Sequence, residues 1–168
     1  LRGDAVCGVR VRDARGHRKE MAATAVVLAT GGMGALFART SNPPGSDGNG
    51  LALGVAAGAS LRDMEFMQFH PTALDLAGVR CLPLITEALR GAGARLLNSA
   101  GRPLMAGLHP LGDLAPRDVV AQRVWSAGCE QGQVWLDARG LNFDWSKSFP
   151  TVLASCLAHG IDPREQPI

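Results

Sequence analysis

Tyrosine is missing altogether, and aromatic residues reach only 5% of the 168 positions. No basic run interleaved with aromatics occurs, so the stacking platforms used on nucleic acids are absent. Charge of one sign is lacking too. Lys and Arg number 17 against 15 Asp and Glu, and a formal +2 is too balanced to point to a polyanionic partner. Cysteine is sparse: Cys7, Cys81, Cys129 and Cys156 stand far apart with no CxxC spacing. They read as reduced thiols of a cytoplasmic protein, with neither a disulfide framework nor a metal site. The longest apolar runs fall well short of a membrane span, and no basic-then-apolar leader opens the sequence.

What is present favours a folded protein. Apolar residues make up 46% and charged residues 19%, enough to bury a core at a length typical of about one domain. The 21 glycines imply many tight turns and close backbone approaches, as in nucleotide-binding α/β proteins. A start at Leu1 and an end at Ile168 are expected of a piece of a longer polypeptide.

Val9 and Val11 alternate with Arg10 and Arg12 before the turn-forming Asp13-Ala-Arg-Gly16, which predicts a hairpin strand with one wet face. Ala25–Ala29 is a short apolar run ending in Thr30-Gly31-Gly32 and predicts a buried strand. Helices are predicted over 51–59, over 118–126 with Asp118 as its cap, and over 151–159 with Gly160 at its end. Val134-Trp-Leu136 is strand-like. Proline-punctuated texture from Leu61 onward places a domain boundary near residue 62.

Three short segments hold the polar chemistry: Glu65-Phe-Met-Gln68-Phe-His70-Pro-Thr72, Thr86-Glu87-Ala-Leu-Arg90-Gly91 and Leu114-Ala-Pro-Arg117-Asp118. Each has a bland reading. His70 suits a hydrogen-bonded structural histidine; Glu87 and Arg90 have the i,i+3 spacing of a helix-surface pair; Arg117-Asp118 suits a solvated helix start. Together with Gln68, Thr72 and Thr86 they suit loops converging on a pocket for a small dicarboxylate. Thr30-Gly31-Gly32-Met33-Gly34 is either a backbone approach to a phosphate or flavin, or an ordinary turn. It does not match GxGxxG.

The succession Ala29-Thr-Gly-Gly32, Ser41-Asn-Pro43, Gly50-Leu-Ala-Leu53, Ala57-Gly-Ala59 and Glu65–Leu74 resembles one flavoprotein family, that of L-aspartate oxidase, fumarate reductase and succinate dehydrogenase. The likeness continues without gaps through Glu87–Gly91, Leu114–Ala121, Leu136-Asp137, Phe149-Pro-Thr151 and Gly160-Ile-Asp-Pro163, so it covers essentially the whole chain. His109–Asp118, with Pro116 where succinate dehydrogenases usually carry Ser, looks like the aspartate-oxidising branch.

The resemblance implies an α+β fold: residues 1–62 as the returning part of an α/β FAD-binding domain, and residues 63–168 as most of a small α+β capping domain. It implies oxidation of L-aspartate to iminoaspartate in NAD biosynthesis, with FAD as cofactor, fumarate or oxygen as acceptor and quinolinate synthase downstream. The alternatives are a fumarate reductase or succinate dehydrogenase subunit, and an inactive truncated domain. Arg117 would carry the proton and Glu87 would lie in its path. His70, Gln68, Thr86 and Arg90 would hold or orient substrate; Thr30, Gly31, Gly32 and Asn49 would face FAD. Asn49 stands where the family usually has Asp, and Ala92 replaces a common Glu.

Overall fold

The alternating Val and Arg residues form β1 (Gly8–Arg12), which pairs antiparallel with β2 (Arg18–Ala22) in the register Arg10↔Glu20. Asp13 closes the connection: its Oδ1 accepts the N–H groups of Arg15 and His17, each at 2.9 Å, and Gly16 follows at φ 86°. The computed structural model describes residue 3 and residues 5–168, excluding the side chain of Gln131. The fold is mixed α+β, with two separate two-stranded sheets among the described residues.

Two compact units divide the chain: Leu1–Ala38 with Asn42–Glu65, and Arg39–Ser41 with Phe66–Ile168. The first holds the hairpin, a 3₁₀ turn at Gly34–Leu36 and α1 (Asn49–Ala56). Helix α1 stops where Gly58 takes φ 88°; the Ala59 N–H reaches back to Gly54 O and the Gly58 N–H to Val55 O. That pair of bonds satisfies carbonyls the last turn would otherwise leave open. The strand predicted over Ala25–Ala29 is not formed. No described strand lies beside it to accept its backbone bonds, and Val27 is 87% exposed. A buried strand requires covered faces and a ladder, and apolar composition supplies neither.

The second unit contains α2 (Glu87–Gly91), β3 (Arg95–Asn98), α3 (Arg117–Gln131), β4 (Val134–Asp137), α4 (Trp145–Ser148) and α5 (Pro150–Leu157). β3 and β4 pair antiparallel with Leu96 opposite Leu136. Leu136 also exchanges both backbone bonds with Ile168, at 2.6 and 2.9 Å. Leu89, Leu96, Met105, Val120, Leu136, Val152 and Cys156 form a continuous core around this sheet. Burial pushes the Cys156 thiol up to about 11, so it behaves as a small apolar residue. Phe143, Trp145 and Phe149 pack as a tilted aromatic trio with ring centroids 5.1–6.0 Å apart.

Helix α3 buries Val120 completely and Val119 and Val124 partly, as its apolar stripe predicts. Its cap differs from expectation. Pro116, at φ −50° and ψ 148°, occupies the N-cap, and Asp118 falls inside the first turn. There its charge complements the exposed N–H groups of the helix start without capping them. Helix α5 begins one residue earlier than predicted, at Pro150, and ends with Gly160 at φ 72° and the Ile161 N–H bonded to Cys156 O.

Candidate functional site

Residues 70–74 run antiparallel to 83–86, so two of the polar segments meet by backbone pairing. Leu74 N–H donates to Pro83 O at 2.9 Å and Ile85 N–H to Thr72 O at 3.2 Å. The buried Thr72 hydroxyl donates to Ile85 O at 2.8 Å. Immediately after Ile85 the chain enters α2, whose five residues carry both Glu87 and Arg90. Thr86 is the N-cap of that helix: its hydroxyl oxygen accepts the Ala88 N–H at 3.3 Å. The third segment arrives through a 3₁₀ turn, Gly112–Leu114, and Pro116 then opens α3 with Arg117 as its first residue.

At the meeting point Glu87 bridges two guanidinium groups. Its Oε2 accepts from Arg117 Nε at 2.7 Å, and its Oε1 from Arg90 Nη2 at 3.1 Å. Arg117 Nη1 donates in turn to Gln68 Oε1 at 3.1 Å. The Arg90 side chain is fully buried, whereas that of Arg117 is 43% exposed. Arg90 is therefore fixed within the protein, whereas Arg117 remains partly open to solvent. The hydrogen bond from Arg117, with both positive charges nearby, holds the Glu87 carboxyl below its ordinary value.

His70 lies beside this cluster. Its Nδ1 is 2.9 Å from Thr72 O and 3.3 Å from Thr72 N. Burial lowers its pKa below 6.5, and the charges of Arg117 and Arg90 act in the same direction, against Thr72 and Glu87. The charged imidazole is thus disfavoured, and the tautomer sets the free nitrogen: Nδ1–H donating to Thr72 O leaves Nε2 an acceptor, whereas Nδ1 accepting the Thr72 N–H leaves Nε2 a donor. Gln68, His70, Glu87, Arg90 and Arg117 are brought together. Thr86 is adjacent, with its hydroxyl committed to the helix cap. The i,i+3 pair Glu87–Arg90 is not the solvated surface pair its spacing allows.

One residue of the cluster carried no sequence signal of its own. Asp113 accepts Arg90 Nη1 at its backbone oxygen, and its Oδ1 accepts the Leu96 N–H at 3.3 Å. Burial pushes its carboxyl above the ordinary 3.8. Its position in the run Leu111-Gly-Asp-Leu-Ala-Pro-Arg117, four residues before Arg117, was the available clue.

The candidate cofactor residues lie in the first unit. Gly31, at φ 74°, turns the chain after Thr30, and Gly32 O accepts the Gly48 N–H at 3.2 Å. Gly48 N-caps α1 in the left-handed conformation. A Cβ on Gly50 would fall 1.7 Å from Thr30 Oγ1, so only glycine permits this approach. A Cβ on Gly32 would meet nothing within 4 Å, which leaves that backbone open. Asn49 donates from its side-chain amide to Asp47 Oδ2 at 2.7 Å and from its backbone to Asp47 Oδ1 at 3.1 Å. A bare turn packed on a helix start fits a flavin or phosphate contact made through backbone.

A family model described as "FAD binding domain" matches residues 1–168. The L-aspartate oxidase of Mycobacterium tuberculosis (strain ATCC 25618 / H37Rv) is 53% identical over 152 residues, covering 88% of this chain and 28% of that protein. The L-aspartate oxidase of Mycobacterium leprae (strain TN) is 48% identical over 171 residues, covering 99% and 32%. Among solved structures, "Quinol-Fumarate Reductase with Menaquinol Molecules" superposes with a TM-score of 0.77 at 33% identity, over 90% of this chain and 30% of its own. The chain thus spans 28–32% of the length of these curated relatives. With its full length matched by the family model, the chain belongs to the FAD-binding domain family of flavoproteins.

Proposed function

We propose that the chain forms part of an FAD-dependent L-aspartate oxidase that converts L-aspartate to iminoaspartate, supplying NAD biosynthesis in the cytoplasm. Residues 1–62 are then the closing part of the FAD-binding domain, and residues 63–168 most of the capping domain. The observation that carries the reading is Glu87 held between Arg90 and Arg117, with Gln68 on the second guanidinium. A guanidinium matches a carboxylate bidentately, so the partly exposed Arg117 suits one carboxylate of a small dicarboxylate. Neutral His70 is suited to hold the substrate by accepting or donating a hydrogen bond without adding charge.

Bound FAD supplies the hydride acceptor, and Thr30, Gly31, Gly32 and Asn49 are the residues here that would touch it. The remaining chemistry falls to the side chains. Oxidation of an amine requires loss of a proton: Arg117 would first hand its own proton to the Glu87 carboxylate and, as the neutral guanidine, take the proton from the substrate amine. Arg90 keeps Glu87 ionised and oriented. Fumarate or oxygen is the electron acceptor, and quinolinate synthase is the consumer of the product. A fumarate reductase or succinate dehydrogenase would use the same cluster, and the 33% identical fumarate reductase structure favours that second reading. Identity to the aspartate oxidases is higher, at 48–53%.

Steady-state assays of the full-length protein with a dye acceptor test the proposal. L-aspartate is expected to reduce the dye with a kcat/KM well above that for succinate. Turnover of succinate alone would move the assignment to the second reading. No turnover of either would identify an inactive remnant.

A further inference from the structure

We propose that Asp113 is a positioning residue for this reaction, its carbonyl and carboxylate together setting the separation between Arg90 and Arg117. The inference rests on the oxidase reading above. Four links close a loop around the site: Glu87 to Arg90 along α2, Arg90 to the Asp113 carbonyl, Asp113 along the chain to Arg117, and Arg117 back to Glu87. Three of these are fixed by the backbone or by Glu87 itself. The placement of the 3₁₀ turn Gly112–Leu114 rests in addition on a tether that the Asp113 carboxylate supplies.

That tether reaches Leu96 on β3. Leu96 is 1% exposed, and its backbone oxygen already accepts the Leu104 N–H at 2.8 Å. Its N–H points away from β4 and is met by Asp113 Oδ1 at 3.3 Å. Without that acceptor a buried donor would be left open, a costly state that displacement of the turn would relieve. The turn would carry Arg117 with it. Ala115, 2% exposed and bonded from its N–H to Gly112 O at 3.0 Å, and Pro116 leave little slack between Asp113 and Arg117. Arg90 has nothing in reserve: its side chain is buried, and its Nε has no partner among the described residues.

Geometry here depends on an acceptor at Asp113, not on its charge. Burial already disfavours the charged form. Asp113→Asn keeps an oxygen of the same shape toward Leu96, while Asp113→Ala removes it. In the full-length protein, Asp113→Ala is expected to lower kcat for L-aspartate by about 10- to 100-fold, the loss typical of misplacing reacting groups by roughly 1 Å. KM should change less, and amide exchange at Leu96 should quicken. Asp113→Asn is expected to stay within about threefold of the unsubstituted kcat with Leu96 protected, since it retains the bond.

An Ala variant with faster Leu96 exchange and unchanged kcat would make Asp113 purely structural and overturn the proposal. So would an Asn variant as impaired as Ala. Should Asp113→Ala not fold, Asp113→Ser, whose hydroxyl is too short to span the same gap, provides the comparison. If the unsubstituted protein does not oxidise L-aspartate, the oxidase reading fails separately. Crystal structures of the Ala or Ser variant then decide: Arg90 and Arg117 still seated together on Glu87 would overturn the positioning role, and a displaced Arg117 would support it.

Discussion

At the scale of single residues, the site is organised by one carboxylate serving two unequal cations. Arg90 is buried and Arg117 is partly exposed, although both are arginines on Glu87. Removing a buried cation's partner leaves an uncompensated charge, so Glu87 has a structural role toward Arg90. Arg117 is the residue whose chemistry can be separated from its charge. In a full-length protein, Arg117→Lys keeps the positive charge but loses the planar fork that spans Glu87 and Gln68. If Arg117 moves the proton, kcat and kcat/KM should fall together by at least ~10²-fold, the usual consequence of losing a general acid–base group. Steady-state kinetics on L-aspartate decide it. A near-normal kcat with a raised KM would reduce Arg117 to a carboxylate clamp.

At the scale of elements, α2 is the critical piece because five residues place both Glu87 and Arg90. So short a helix has little stability of its own and depends on its cap and its packing. Thr86→Ala should therefore cost about 1 kcal/mol through loss of the N-cap oxygen, while Thr86→Ser should be nearly neutral. Thermal denaturation of the two variants is the check. Equal midpoints would mean that the hydroxyl does not cap α2 in solution and is available to substrate, as the family resemblance implied. The same contrast shows what could be read in the sequence. The hairpin, α1, α3, β4 and α5 were legible because alternation, helix periodicity and C-terminal glycines are local signals. β3 was not, since Arg95–Asn98 is four residues long and gains its identity only from pairing with β4. Ala25–Ala29 was misread for the converse reason: its apolar run is local, but a ladder is not. Within the site, residue types were legible while the Asp113 contacts were not, because they join positions 17 and 23 apart in sequence.

At the scale of the whole molecule, the question is how much of a flavin site 168 residues can hold. What they hold is the Thr30–Gly32 turn against the start of α1, which on the reading proposed above would touch a ligand through backbone on one side. Dinucleotides are held chiefly at the pyrophosphate, by a glycine-rich turn that opens a helix after a parallel strand. No GxGxxG occurs among these residues, and no described strand accompanies the exposed Val27 and Leu28. The curated relatives are about three times as long, with this chain covering 28–32% of them. A polypeptide of residues 1–168 alone is therefore expected to purify colourless and to gain little thermal stability from added FAD. A ligand that binds only the folded state raises stability by RT ln(1 + [L]/Kd), so a midpoint unmoved at millimolar FAD would place Kd at roughly millimolar or weaker. Co-purification of stoichiometric flavin with this polypeptide would overturn the expectation, and would mean that the turn at Gly31–Gly32 and the start of α1 hold far more of the cofactor than one backbone contact allows.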